Sequence, residues 1–295
     1  MKTMNIRSAW TPIAPTPRRI TTTTRPEKVA LHGRDMSLYW HDGVPRLTTD
    51  ACFHRGASLS THGTIDADGC IRCGYHGKKS RGLKAREVHG VVWYNDQFES
   101  SDIPIPWEFT DSSQRVFSYT ESFPNTNPLM MVENTLDYSH LSVVHAFSLT
   151  SGGPRVEIDA ENNTARYIYD TTLNKTLTVE NQFWVPWSTC LRFYLDETHL
   201  FSLLFSWIPR DVNHTDLVVR VSRTHGHWTG MFGDWILQIA NTLPLIEDRD
   251  VVQSIPQDRS WRDDRLAYDD RFLRLYRTMM EEEYPSIVAE YMGGC

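Results

Sequence analysis

Cys52-Phe53-His54 and, after eighteen further residues, Cys73-Gly74-Tyr75-His76 decide how this chain is read. Each short loop supplies one thiolate and one imidazole. Such a donor set suits a [2Fe–2S] cluster in which two Cys hold one iron and two His hold the other. Neutral imidazoles in place of two thiolates remove negative charge and raise the potential, so the cluster accepts an electron from a low-potential donor and passes it on. Gly56 and Gly77 stand behind the two His-bearing turns, where a backbone folding tightly round a bulky group needs conformations that other residues resist. A Cys2His2 zinc site uses the same residue types, although zinc fingers usually group Cys with Cys and His with His.

Working outward, 295 residues with 40% hydrophobic and 12% aromatic content are enough for one large or two ordinary globular domains. No run approaches the roughly 18 apolar residues that a membrane span requires, and Met1 to Arg19 lacks the apolar core of a secretory signal. Of five Cys, the three outside the loops, Cys70, Cys190 and Cys295, show no pairing pattern, which fits a reducing, cytoplasmic setting. A net charge of −7 argues against nucleic-acid binding.

Short β-like runs surround the loops: Lys28 to Leu31, Met36 to Trp40, a hairpin signal at His41-Asp42-Gly43, and Val88 to Tyr94. Beyond the Pro-marked Ile103 to Pro106 the texture changes. Leu129 to Phe147 contains a helix pattern, followed by β-rich runs at Arg166–Thr172, Thr176–Val185, Thr189–Leu195, Leu200–Ile208 and Asp216–Arg223, then helical segments at Trp235–Val252 and Asp269–Tyr284. The expectation is an α+β chain in two parts, an all-β domain over residues 1–115 and a second domain over residues 116–295 with an antiparallel sheet and C-terminal helices.

A second constellation lies in Glu133-Asn134-Thr135-Leu136-Asp137-Tyr138-Ser139-His140-Leu141-Ser142-Val143-Val144-His145. A ferrous oxygen-activating site wants two imidazoles and one carboxylate on one face of the metal. His140 and His145 supply the imidazoles; five residues apart they would point about 140° away from each other on an ideal helix, so the helix must bend or end between them. The carboxylate has to come from elsewhere, and Glu247-Asp248-Arg249-Asp250 offers it. Taken alone, two His at this spacing are weak evidence, and Asn134 also suits a helix-start cap.

Together these stretches resemble the oxygenase α-subunit of the Rieske non-haem iron oxygenases. The resemblance rests on Trp10-Thr11-Pro12-Ile13-Ala14, the loops Cys52–Ser60 and Cys73–Gly77, Val91-Val92-Trp93, the Asn134, Asp137, His140 and His145 pattern, and Glu247-Asp248. It implies a Rieske domain joined to a helix-grip catalytic domain. Its cluster ligands would be Cys52, His54, Cys73 and His76, and its mononuclear Fe(II) ligands His140, His145 and Asp248, with Asp250 the alternative to Asp248. It also implies a head-to-tail homotrimer in which Asp137 bridges His76 of one subunit and His140 of the next, with Asn134 lining the site. Two departures stand out: Phe53 and Gly74 replace the Pro that commonly follows each Cys, and Lys78 replaces a Trp.

Gly-x-Gly-x-x-Gly is absent, so electrons are expected from a ferredoxin or a flavin/ferredoxin-type reductase. Lys78, Lys79, Arg81, Lys84 and Arg86 form a basic run directly after His76, fitting either an acidic donor or a solvated loop. The implied activity is monooxygenation of a small organic substrate, by hydroxylation or oxidative demethylation; arene cis-dihydroxylation and a Rieske electron carrier with a vestigial second domain are the alternatives. Phe183, Trp184, Trp187, Phe193, Phe205 and Trp207 could enclose an apolar or cationic ligand, but aromatic residues in β-runs are mostly core. His225-Gly226-His227 reads as a turn.

Overall fold

Strands, several with buried and exposed residues alternating at period two, are the commonest element of the described chain. The structure is a computed structural model and describes residues 10–17, 24–95, 103, 105–140, 144–145, 153–171, 174–224, 230–256, 259–266 and 270–292. Among the described residues the N-terminal part holds ten short strands: β1 (Thr11–Pro15), β2 (Glu27–Leu31), β3 (Arg34–His41), β4 (Val44–Thr49), β5 (Gly63–Ile65), β6 (Cys70–Cys73), β7 (Lys79–Arg81), β8 (Leu83–Lys84), β9 (Arg86–Val88) and β10 (Val91–Tyr94). They form three small sheets in the orders β1-β10-β9, β2-β3-β4-β8 and β5-β6-β7. A one-turn helix, α1 (Leu59–His62), is capped by the Ser58 hydroxyl. The His41-Asp42-Gly43 hairpin forms, with Asp42 and Gly43 both at positive φ. Val88 to Tyr94 is not one strand but two, because His89 and Gly90 take positive φ and turn the chain.

After a 3-10 turn at Trp107–Phe109 the large sheet begins with β11 (Gln114–Pro124). Helix α2 (Pro128–Leu136) follows, then β12 (Arg155–Asp159), β13 (Thr164–Asp170), β14 (Thr176–Trp184), β15 (Ser188–Leu195), β16 (Thr198–Asp211) and β17 (His214–Thr224). The sheet is antiparallel throughout, in the order β11-β17-β16-β15-β14-β13-β12. Helices α3 (Gly230–Ser254), α4 (Arg271–Glu283) and α5 (Pro285–Tyr291) end the chain. The edge strands β11 and β12 escaped the sequence reading: β11 is mostly polar or half-buried, and β12 is a five-residue strand with three exposed positions.

One face of the large sheet and the helices enclose the main core, which takes Tyr167, Phe183, Trp187, Phe205, Trp207, Phe272 and Tyr276. Four of the six aromatic residues singled out from sequence thus lie fully inside it. Trp184 packs instead with Phe109, Cys190 and Leu204 in a separate small cluster. The two parts of the chain share a core of their own, in which Trp10, Val91, Trp93 and Ile103 meet Ile208 and Val218. Hydrogen bonds cross here as well. His32 and Gly33 donate their backbone N–H to the carbonyls of Pro209 and Arg210 (2.8 and 2.7 Å), and the Arg210 guanidinium donates to the carbonyls of Ile13 and Ala30.

Candidate cluster and metal sites

The two cysteine loops are built alike. Cys52 donates its N–H to the Ala57 carbonyl (2.9 Å) and its own carbonyl accepts from Gly56; Cys73 donates to Lys78 (2.8 Å) and accepts from Gly77. Gly56 and Gly77 have φ of 73° and 65°, the left-handed region that closes such a turn without strain. Cys52 and Cys73 lie buried, while His54 and His76 are exposed, with ring centroids 4.7 Å apart. Both thiols are free, and the Cys73 thiol is drawn below its usual pKa by the backbone N–H of Tyr75, then that of His76 and the Cys52 side chain, against burial. Hydrogen bonds aimed at a sulfur favour its thiolate form. Two inner thiols and two outer imidazoles are the disposition a [2Fe–2S] group with S-ligated and N-ligated irons requires.

What holds the loops was not legible from the Cys and His pattern. Asp50, two residues before Cys52, accepts from the Ser37 hydroxyl and the Ser60 N–H, both at 2.7 Å, and its carbonyl accepts from Leu59. Buried Tyr39 donates to the Gly69 carbonyl and accepts from Gly82, both at 2.9 Å, beneath both loops. Gly74 donates its N–H to the His62 carbonyl at 2.9 Å, and a Cβ there would fall 2.3 Å from that oxygen. Proline lacks the N–H and alanine lacks the room, which accounts for glycine at this departure from the family pattern.

The second constellation is assembled by two helix segments. Asn127 caps α2 through Leu129 N–H, and Pro128 opens it. The helix stops at Leu136, before either His, because the Asp137 carboxylate accepts from the Ser139 N–H (2.8 Å) and hydroxyl (2.6 Å), a local turn that competes with helical bonding. Val144, next to His145, donates its N–H to the His140 carbonyl at 2.8 Å. On α3 the residues Leu245, Asp248 and Val252 share the buried stripe. Asp250 lies off that stripe, exposed and paired with Arg249.

His140, His145 and Asp248 therefore converge, with ligating atoms within 4.8 Å of one another. The Nε2 atoms of both imidazoles lie 3.4 Å from the same Asp248 oxygen, Oδ1. His145 Nδ1 is held at 2.9 Å by Glu247 Oε2, which leaves its Nε2 free to ligate. His140 Nδ1 faces Asp137 at 3.8 Å, too far for a hydrogen bond. Burial depresses the His140 pKa, but the Asp137 and Asp248 carboxylates overcome it and lift it to about 9. Both His140 nitrogens and Asp248 Oδ1 are buried without hydrogen-bond partners. Orphaned donors around a carboxylate that attracts positive charge fit a divalent cation of the two-His, one-carboxylate class. Asn134 is half-buried, its Nδ2 without a partner. In the basic run, Lys79 is tied to Asp66 and Asp68 at 2.9 and 2.8 Å, whereas Lys78 and Arg81 are exposed at the surface. The His225-Gly226-His227 turn lies outside the described residues.

Comparison with known proteins agrees with the cluster geometry. Residues 10–86 match the family described as Rieske [2Fe-2S] domain. The N-terminal part is a Rieske domain. Cholesterol 7-desaturase nvd of Xenopus laevis is 28% identical over 149 residues, 41% of this chain and 33% of that protein. The match thus spans about a third of that curated relative. Over nearly the whole chain the fold is shared with three solved structures. NdmA of Pseudomonas putida CBB5 with caffeine superposes with a TM-score of 0.76 at 18% identity, covering 96% of this chain and 94% of that one. NdmB of the same organism gives 0.75 at 16% identity, covering 99% and 98%. Dicamba monooxygenase bound to dicamba gives 0.74 at 17%, covering 95% and 98%.

Proposed function

We propose that this chain is the terminal oxygenase of a Rieske-type system, hydroxylating or oxidatively demethylating a small organic substrate with O2. The observation that carries the reading is the convergence of His140, His145 and Asp248, with both His140 nitrogens and Asp248 Oδ1 buried and unpartnered, in a chain that also holds a Rieske domain. Cys52, His54, Cys73 and His76 would hold the [2Fe–2S] cluster; His140, His145 and Asp248 would hold Fe(II). The bound groups supply one-electron transfer and O2 activation respectively. This chain's residues do the rest. Glu247 fixes the His145 ring, the Asp137 turn presents His140, and the apolar core behind them excludes water. The preference for monooxygenation draws support from dicamba monooxygenase bound to dicamba and from NdmA with caffeine among the similar structures.

Electrons arrive from a ferredoxin or ferredoxin-type reductase, docked at the tip where Lys78 and Arg81 are exposed near His76. Assembly is a homotrimer in which Asp137 meets His76 of the neighbouring subunit. Phe53 and Tyr75, 73% and 61% exposed beside the cluster ligands, and the apolar stripe Phe232, Trp235, Ile239, Leu243 and Ile246 on α3 suit such burial. Among the described residues no helix is long and apolar enough to cross a membrane.

The test is iron, zinc and acid-labile sulfide per chain on anaerobically purified protein. About three irons and two sulfides are expected, a two-iron cluster plus one mononuclear iron. Two irons and two sulfides, unchanged after Fe(II) is added, would make the chain an electron carrier. Zinc without sulfide would overturn the reading.

A further inference from the structure

Helix α2 is nine residues long, too short to hold its position by its own hydrogen bonding. Leu129, Met131, Val132 and Leu136 bury its apolar side, yet apolar contact alone lets a helix slide or rotate slightly. Its one charged residue, Glu133, is 8% exposed and meets Arg277 of α4, also 8% exposed, through two parallel bonds. Arg277 Nε donates to Oε1 at 2.6 Å and Nη2 to Oε2 at 2.8 Å. The guanidinium is fixed in turn by Asp264 Oδ2 (2.6 Å) and the Trp261 carbonyl (3.3 Å), and lies 5.1 Å from the Trp261 ring centroid. Arg259 completes the set by donating to Asp264 Oδ1 at 2.6 Å. Such a planar fork fixes distance and angle together, which an ammonium or an apolar contact does not.

Glu133 also serves with its backbone. Its carbonyl accepts the Asp137 N–H at 3.0 Å, the bond that closes α2, and the Asp137–Ser139 turn presenting His140 starts there. We propose that Glu133 and Arg277 are a positioning pair, locking the end of α2 to α4 so that His140 stands where it can ligate with His145 and Asp248. The proposal rests on the oxygenase reading. It makes α4, far away in sequence, part of the support of the metal site.

The test uses full-length protein with its cluster intact and Co(II) titrated calorimetrically into the vacated mononuclear site. Glu133→Gln keeps the shape and loses the charge; Arg277→Lys keeps the charge and loses the fork. Each is expected to weaken Co(II) binding by about 10- to 100-fold, while the reduced cluster keeps its EPR spectrum. Where single variants fold poorly, the pair Glu133→Met with Arg277→Leu removes both charges and leaves none unpaired in the interior. It is expected to show the same loss of affinity. Variants with lower Tm but wild-type Co(II) affinity would overturn the positioning role. Wild-type protein that binds no Co(II) would instead overturn the oxygenase reading, and this inference with it.

Discussion

Removing the Glu247 carboxylate isolates how much of the metal site depends on the orientation of one imidazole. Glu247 Oε2 accepts from His145 Nδ1 at 2.9 Å, which sets the tautomer and turns Nε2 toward Asp248 Oδ1, 3.4 Å away. Loss of such an outer partner typically costs about 10- to 100-fold in metal affinity. The Glu247 side chain is 42% exposed, so water screens the interaction and can partly replace it. That places Glu247→Ala at the lower end, about tenfold or ~1.4 kcal/mol. Glu247→Gln still accepts the hydrogen bond through its amide oxygen and loses only the charge assistance, which makes up about half of such a bond. Its affinity should fall by about threefold. The assay is Co(II) calorimetry with cluster EPR as the integrity check. Unchanged affinity in Glu247→Ala would refute the orienting role. A loss far beyond 100-fold in both variants would show that Glu247 itself ligates, and that the set built on Asp248 is misassigned.

Asp137→Asn keeps an oxygen for the Ser139 bonds but removes the charge facing His140, so both metals should be retained while substrate-triggered cluster oxidation slows by at least about tenfold in stopped flow; an unchanged rate would remove Asp137 from the electron route. Gly74→Ala places a Cβ 2.3 Å from the His62 carbonyl, so the second loop must shift, and purified protein should lose most of its sulfide. Full sulfide content would show that the loop yields easily. Buried His32, bonded to the Tyr291 hydroxyl at 2.7 Å, has its pKa lowered from 6.5 to about 4 by burial and, less, by Arg34. The fold therefore holds it neutral: its stabilisation is complete above pH 6.5 and is lost as pH falls toward 4, a difference of ~3 kcal/mol. His32→Gln should flatten the denaturant-derived stability over that range, and an unaltered slope would sink the assignment.

The two Cys-His loops and the His140–His145 pair stood out in the sequence because ligand chemistry is local. Cys52, His54, Cys73 and His76 sit on short turns, so their spacing already limits what they can enclose. Interior strands β13 to β17 were readable because they are long β-prone apolar runs, alternating in burial along β13 and continuously buried through the middle of β16. Edge strands β11 and β12 escaped because that contrast is weak where strands are polar or short. The end of α2 at Leu136 was equally hidden, since the Asp137–Ser139 turn wins only by a few hydrogen bonds.

Tertiary structure alone decided what spacing cannot carry. The resemblance already favoured Asp248 over Asp250; the structure adds that Asp248 lies on the buried stripe of α3, 3.4 Å from both imidazoles, while Asp250 is exposed. Glu247 on His145, Arg277 on Glu133 and His62 against Gly74 join residues 102, 144 and 12 positions apart. A sequence states which groups can ligate, because that is fixed by their chemistry. It does not state which groups hold the ligands still, because that depends on where the rest of the chain folds back.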